Sequence, residues 1–249
     1  MPSVTGRQRD GRPMRGLWHQ AAASALTQIN YGVRSFTFAK NGVRGMPASP
    51  LTVIFDLGGV LLDWDPRYLY RRLFNGDDAA MERFLAHVCT PDWNREQDAG
   101  RPFAEAEAEA AARHPEMAGF IRAWARDFDA MIMGAIEGTV AILGELRDRG
   151  VPLYALTNWS AETFAGQPAR FPFLGWFDGI VVSGREKLIK PDPRIFRLLL
   201  DRYGIDAGRA VFIDDVAANA AAAATVGLRG IHFTGAGDLR RELAALALL

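Results

Sequence analysis

The stretch VIFDLGGVLLDWDP, Val53 to Pro66, passes from β-branched and aromatic residues into an aspartate, two glycines and two further aspartates. Thr52 to Phe55 reads as a buried strand, and the glycines after Asp56 end it. Asp56 therefore stands at the carboxyl end of a strand. By itself that position says little about chemistry, because aspartate also caps turns and helices.

Downstream, the pattern turns helical from Pro66 to about Met133, in PRYLYRRLF, AAMERFLAHVC, FAEAEAEAAARH and MAGFIRAWARDFDAMI, separated by polar or proline-bearing turns. Glu105, Glu107 and Glu109 alternate as on a strand, but alanine and glutamate are strong helix formers, so helix is expected there. No strand is recognisable in this block, which reads as a helical insert. After it, helix Thr139 to Arg149 leads to strand PLYALT, strand GIVVS, helix PRIFRLLLDRYG, strand AVFID, helix VAANAAAAATVG, strand GIHF and a last helix from about Asp238. Strands alternating with helices predict an α/β fold with a mostly parallel sheet covered on both faces. In such sheets the ligand crevice lies beyond the carboxyl ends of the strands. Asp56, Thr157 and the pair Asp214 and Asp215 all fall at such ends, although 101 and 57 residues separate them along the chain.

Three carboxylates converging in one crevice repel one another, and a hard cation such as magnesium relieves that repulsion through oxygen ligands. The segment LTNWS, Leu156 to Ser160, adds a hydroxyl and an amide where a strand gives way to a helix. Such groups hold phosphoryl oxygens, although Thr157 also reads as a helix cap. In LIKPDP, Leu188 to Pro193, the proline spacing favours Lys190 over Lys187 as the ammonium held against the nucleophile and a phosphate.

The segments FDLGGVLLD, LTNWS, LIKPDP and FIDD, in this order and with a helical insert after the first, resemble the haloacid dehalogenase-like hydrolase superfamily over about residues 50 to 249. The resemblance implies a Rossmann-like three-layer core, residues 50–65 and 134–249, with an α-helical cap at 66–133. It also implies that Asp56 is the nucleophile, that Thr157 and Lys190 position the phosphoryl group or the nucleophile, and that magnesium is bound by Asp56, Asp214, Asp215 and the main-chain carbonyl of Gly58. Phosphatases of this family form an aspartyl-phosphate, and dehalogenases an aspartyl ester. Only the phosphoryl reaction has a clear need for magnesium, and the acidic pair favours it.

Gly58 departs from the phosphatase pattern, which places there a second aspartate that protonates the leaving alcohol. Such assistance contributes roughly 10²- to 10⁴-fold. A sugar phosphate at the anomeric oxygen, or an acyl phosphate, leaves readily enough to tolerate its loss. Asp63 and Asp65 are the sequence-near substitutes, each equally readable as a structural cap. Within the insert, TPDWNREQDAGRPF, Thr90 to Phe103, has the composition of a polar pocket, so Trp93 and Asn94 are expected to join Asn158, Thr157 and Lys190 at the substrate. The plain alternative is a segment packed by Trp93 and Phe103. Asn219 is a candidate to steady the acidic loop.

Composition narrows the partners. The chain's 29 basic and 29 acidic residues balance, but residues 1–49 hold seven arginines and lysines against Asp10, leaving 22 basic and 28 acidic residues for the rest. That body gives no electrostatic case for nucleic acid or an anionic membrane. Residues 1–49 read as a flexible basic extension unnecessary for function, with Met46 a compact start for the first strand. One cysteine, Cys89, excludes an internal disulfide and suggests a cytoplasmic protein. No run approaches the roughly 18 to 20 apolar residues of a membrane helix. The expected activity is a magnesium-dependent phosphatase for a small phosphorylated metabolite, with a sugar phosphate as one candidate; the rivals are a 2-haloacid dehalogenase and a non-catalytic phosphate-binding or protein-interaction module.

Overall fold

A computed structural model describes residues 51–249, and the reading of residues 1–49 as an extension lies outside them. Five strands, β1 (Thr52–Phe55), β4 (Leu153–Thr157), β5 (Gly179–Val182), β6 (Ala210–Asp214) and β7 (Arg229–His232), form a parallel sheet in the order β5-β4-β1-β6-β7. Val53 pairs with Leu153 on one side and Val211 on the other, so β1 is central and completely hydrogen-bonded.

Because alternate strand residues face opposite ways, the sheet divides the core into two layers. Val53, Phe55, Val211 and Ile213 pack with Ile142, Leu143 and Leu146 of helix Glu137–Asp148 and with Leu239 and Leu243 of helix Ala236–Ala245. Ile54, Phe212 and Val181 pack instead with Ile195, Phe196 and Leu199 of helix Pro193–Tyr203. This is the expected three-layer, Rossmann-like α/β core.

The helical insert also forms: α1 (Pro66–Leu73), α2 (Asp78–His87), α3 (Pro91–Asp98), α4 (Phe103–Arg113) and α5 (Ala118–Arg126) follow one another. Glu105, Glu107 and Glu109 lie within α4. Tyr70 packs against Phe84 and Trp124 at 4.9 and 5.8 Å, giving the insert an aromatic core of its own.

The strandless reading of this block needs one correction. Residues β2 (Leu62–Trp64) and β3 (Ile132–Ala135) pair antiparallel, Leu62 against Ala135, at the two points where the chain enters and leaves the insert. The expected boundary between residues 133 and 134 thus falls inside β3. Its sequence, IMGA, is too short and too glycine-bearing to show a period of two.

Candidate active site

Every strand-end residue singled out in the sequence arrives at one edge of the sheet. β1 delivers Asp56, whose backbone N–H donates to the Ile213 carbonyl at 2.8 Å and so continues the ladder one residue past the strand. The neighbouring strands deliver Thr157 and Asp214 at the same level. Carboxylate oxygens of Asp56, Asp214 and Asp215 lie within 4.8 Å of one another.

Lys190 is completely buried, and its ammonium has three acceptors for its three hydrogens: Asp56 Oδ1 at 2.9 Å, Asp214 Oδ2 at 2.6 Å and the Leu156 carbonyl at 2.9 Å. Burial works against the charge, but the two carboxylates outweigh it and the lysine pKa is raised. Lys187, by contrast, is exposed. Asn158 fixes the position of Lys190 by accepting from its backbone N–H at 2.8 Å and donating to its carbonyl at 3.0 Å. The amide expected to face substrate therefore also clasps the lysine loop.

Burial lifts the Asp56 pKa to about 7, with Lys190 pulling it down and Asp214 pushing it up. Leu57 N–H donates to the same Oδ1 that Lys190 holds, at 2.7 Å, and among the described residues no donor reaches Oδ2. Asp214 is steadied on both oxygens by Asn219, at 3.0 and 3.2 Å, and by the Val216 N–H at 2.8 Å. The Asp215 pKa is raised by burial and by Asp214. Thr157 is buried and its hydroxyl makes no hydrogen bond to another described residue, leaving it able to donate to an incoming oxygen.

The close approach of the acidic loop explains Gly59. Its φ is +72°, a conformation that L-residues rarely adopt, and a Cβ there would stand 2.2 Å from Asp215 Oδ2. Gly59→Ala is expected to cost about 1–2 kcal/mol from backbone strain alone and to displace Asp215 from the other two carboxylates, as denaturant unfolding and a divalent-metal titration would check. Gly58 differs: a Cβ there meets nothing within 4 Å, so the position has room for a side chain and lacks one.

Gly58 opens into a pocket of about 80 Å³ lined by Trp64, Asn94, Asp98, Phe128, Asn158 and Trp159. The insert supplies Asn94 and Asp98 from α3, whose start is set by the Thr90 hydroxyl capping Trp93 N–H at 3.0 Å and by Pro91 in the first turn. Helical spacing corrects the expectation for Trp93. It turns inward with Gln97 and packs against Phe103 and Trp124 at 6.1 and 5.4 Å, while Asn94 and Asp98 face the pocket. Trp64, the tryptophan of β2, also lines the pocket.

Asp98 was visible in the sequence only as one polar residue among several. It is half-buried, accepts from Asn94 Nδ2 at 3.1 Å and from the Ser160 backbone, and burial raises its pKa to about 7. Between about pH 4 and 7 the folded chain therefore holds a proton at Asp98 that the unfolded chain has released, and stability contributed by that proton falls as pH rises through this window. Asp98→Asn is expected to melt higher relative to the wild type above pH 7 than below pH 4, as paired thermal melts would show. Asp63 and Asp65 are otherwise engaged: Asp63 accepts from the Tyr68 hydroxyl at 2.9 Å, and Asp65 caps α1 through Arg67 N–H at 2.8 Å.

Residues 51–227 match the haloacid dehalogenase-like hydrolase family. The chain belongs to that family. The HAD-like assignment has relatives of defined name: the sesquiterpene phosphatase astK of Aspergillus oryzae is 30% identical over 190 residues, covering 73% of this chain and 88% of its own. A phosphoglycolate phosphatase of Rhodospirillum rubrum is 30% identical over 225 residues, covering 80% and 86%. A HAD family enzyme of Bacteroides thetaiotaomicron, solved as its magnesium complex, shares the fold with a TM-score of 0.59 at 23% identity, over 76% of this chain and 94% of that one. The donor set of this HAD-like site fits such an ion. Three carboxylates with oxygens close enough to share one centre are hard ligands suited to a divalent metal such as magnesium.

Proposed function

We propose that the chain is a magnesium-dependent phosphomonoester hydrolase for a small phosphorylated metabolite, working through an aspartyl-phosphate on Asp56. The observation that carries this reading is a buried carboxylate with one free oxygen, held by a buried ammonium beside two further carboxylates. Asp56 Oδ2 attacks phosphorus and the P–O bond to the substrate's organic group breaks. Water then cleaves the acyl phosphate, returning Asp56 and releasing inorganic phosphate. Magnesium, when bound, would supply a positive charge against the phosphoryl oxygens, held by Asp56, Asp214, Asp215 and the Gly58 carbonyl. Thr157 donates a hydrogen bond to a phosphoryl oxygen. Lys190, with all three hydrogens committed, positions Asp56 and Asp214. In this reading residues 66–133 act as the cap and the remainder of 50–249 as the catalytic core.

Gly58 cannot protonate the leaving oxygen. Asp98 is the one carboxyl group on the wall of the pocket beside Gly58, and with a pKa near 7 it is substantially protonated at neutral pH. We assign it that proton. A cap-borne acid removes the requirement for a readily departing group, so a sugar phosphate is one candidate substrate among organic monophosphates. The relatives differ in this respect: one is named for a sesquiterpene substrate and another for phosphoglycolate. The cytoplasmic assignment rests on the single cysteine, and cell fractionation would check it.

The test is a screen for phosphate release from sugar, acyl, alkyl and nucleoside monophosphates with magnesium present, alongside halide release from 2-haloacids. Release of phosphate from at least one class is the expected result. Halide release without added metal would replace this reading with the dehalogenase. Phosphate binding with no turnover of any monophosphate, activated acyl phosphates included, would leave the non-catalytic binding module.

A further inference from the structure

Beyond the pocket at Gly58 the cap contains a second and larger space, a cavity of about 530 Å³. Trp64 and Asn94 are walls of both, so the two adjoin at the tryptophan ring. The larger cavity is walled mainly by carbon, from Leu85 and Ala86 of α2, Pro66, Pro91 and the Trp124 ring. Its volume lies within the range of about 300–1,000 Å³ typical of small-molecule sites.

Its charged groups are already paired, and the partnerless indole nitrogens of Trp64 and Trp124 are themselves buried. Arg67 grips Glu82 with two hydrogen bonds, at 2.6 and 3.0 Å, at the exposed rim, and Asn94 Nδ2 is engaged by Asp98. A polyhydroxylated group placed here would exchange water for walls that return few hydrogen bonds, and each unmatched hydroxyl would oppose binding. A hydrocarbon body loses nothing of the kind and gains by leaving water.

We infer that the cap cavity binds the apolar body of the substrate, so that the enzyme's substrates are monophosphates of aliphatic alcohols of several carbons, phosphate at Asp56 and hydrocarbon against Leu85, Ala86 and Trp124. This inference rests on the phosphatase reading and narrows it. It also matches that site's proton supply, because an alkoxide is a poor leaving group and needs an acid such as Asp98.

The test is a series of n-alkyl monophosphates from methyl to decyl, assayed with magnesium. Beyond the first carbons the alkoxide basicity hardly changes, so chain length reports burial. The expected result is a rise in kcat/KM of about fourfold per added methylene, equivalent to about 0.8 kcal/mol, until the cavity is filled. Ala86→Trp, at an exposed helix position on the cavity wall, is expected to collapse the decyl-to-methyl ratio, a quantity that a partial folding defect leaves alone. A flat series in a protein that hydrolyses acetyl phosphate would overturn the cavity assignment and leave the phosphatase reading standing, as would a rise that Ala86→Trp does not change. Should no phosphate ester be turned over, the phosphatase reading itself is what fails. Decylphosphonate is then titrated by tryptophan fluorescence: binding tighter than methylphosphonate sustains the apolar site, and equal binding removes it.

Discussion

Asp56→Asn is expected to reduce phosphate release by about 10⁴-fold or more, the scale of loss when a covalent nucleophile is removed. Asparagine keeps the shape, and its amide oxygen still accepts from Leu57 N–H and Lys190, which hold Oδ1 at 2.7 and 2.9 Å. What disappears is the free carboxylate oxygen. The substitution also takes one anion out of a close group of three, easing repulsion from Asp214 and Asp215. Circular dichroism should therefore show an intact fold, with no fall in melting temperature. Turnover that survives in this variant would show that Asp56 does not carry the covalent step.

Removal of the divalent ion should have the next largest effect. A Lewis acid at the phosphoryl oxygens is worth several kcal/mol in the transition state, so chelation is expected to lower kcat by about 10³-fold, reversed by added magnesium. The same ion should stabilise the fold, because it binds the folded carboxylate cluster and not the unfolded chain. With free magnesium at a hundred times its dissociation constant the gain is about 2.7 kcal/mol, readable as a rise in melting temperature. In Asp215→Asn the thermal response should shrink along with the kinetic one. Full activity in chelator would contradict the assignment of the three aspartates to a metal.

The sequence made the core legible because its chemistry sits where strand patterns end. The hydrophobic runs before Asp56, Thr157 and Asp214 identify strands, and a parallel sheet brings their carboxyl ends to a common edge. The cap was less legible. TPDWNREQDAGRPF has a threonine cap and a proline in the first turn, both signs of a helix start, yet its polar composition reads only as a pocket lining. Only the helical register separates Trp93 and Gln97 from Asn94 and Asp98, sending one pair into the cap core and the other to the pocket. The role of Asn158 was hidden for another reason. Its partner, the backbone of Lys190, is 32 residues away and is brought near by the fold alone.

The pairing of β2 with β3 has a consequence for how this molecule can change. Since Leu62 lies opposite Ala135, the insert departs and returns through neighbouring rungs of one ladder. The catalytic half consequently sees it as a detour of any length, closed at the base, and residues between the rungs can be exchanged without moving Asp56. Apart from Asp98, the proton donor proposed from α3, recognition is thereby separable from reaction: one part of the chain keeps still so that bonds break, and the other is free to be rewritten for a new molecule.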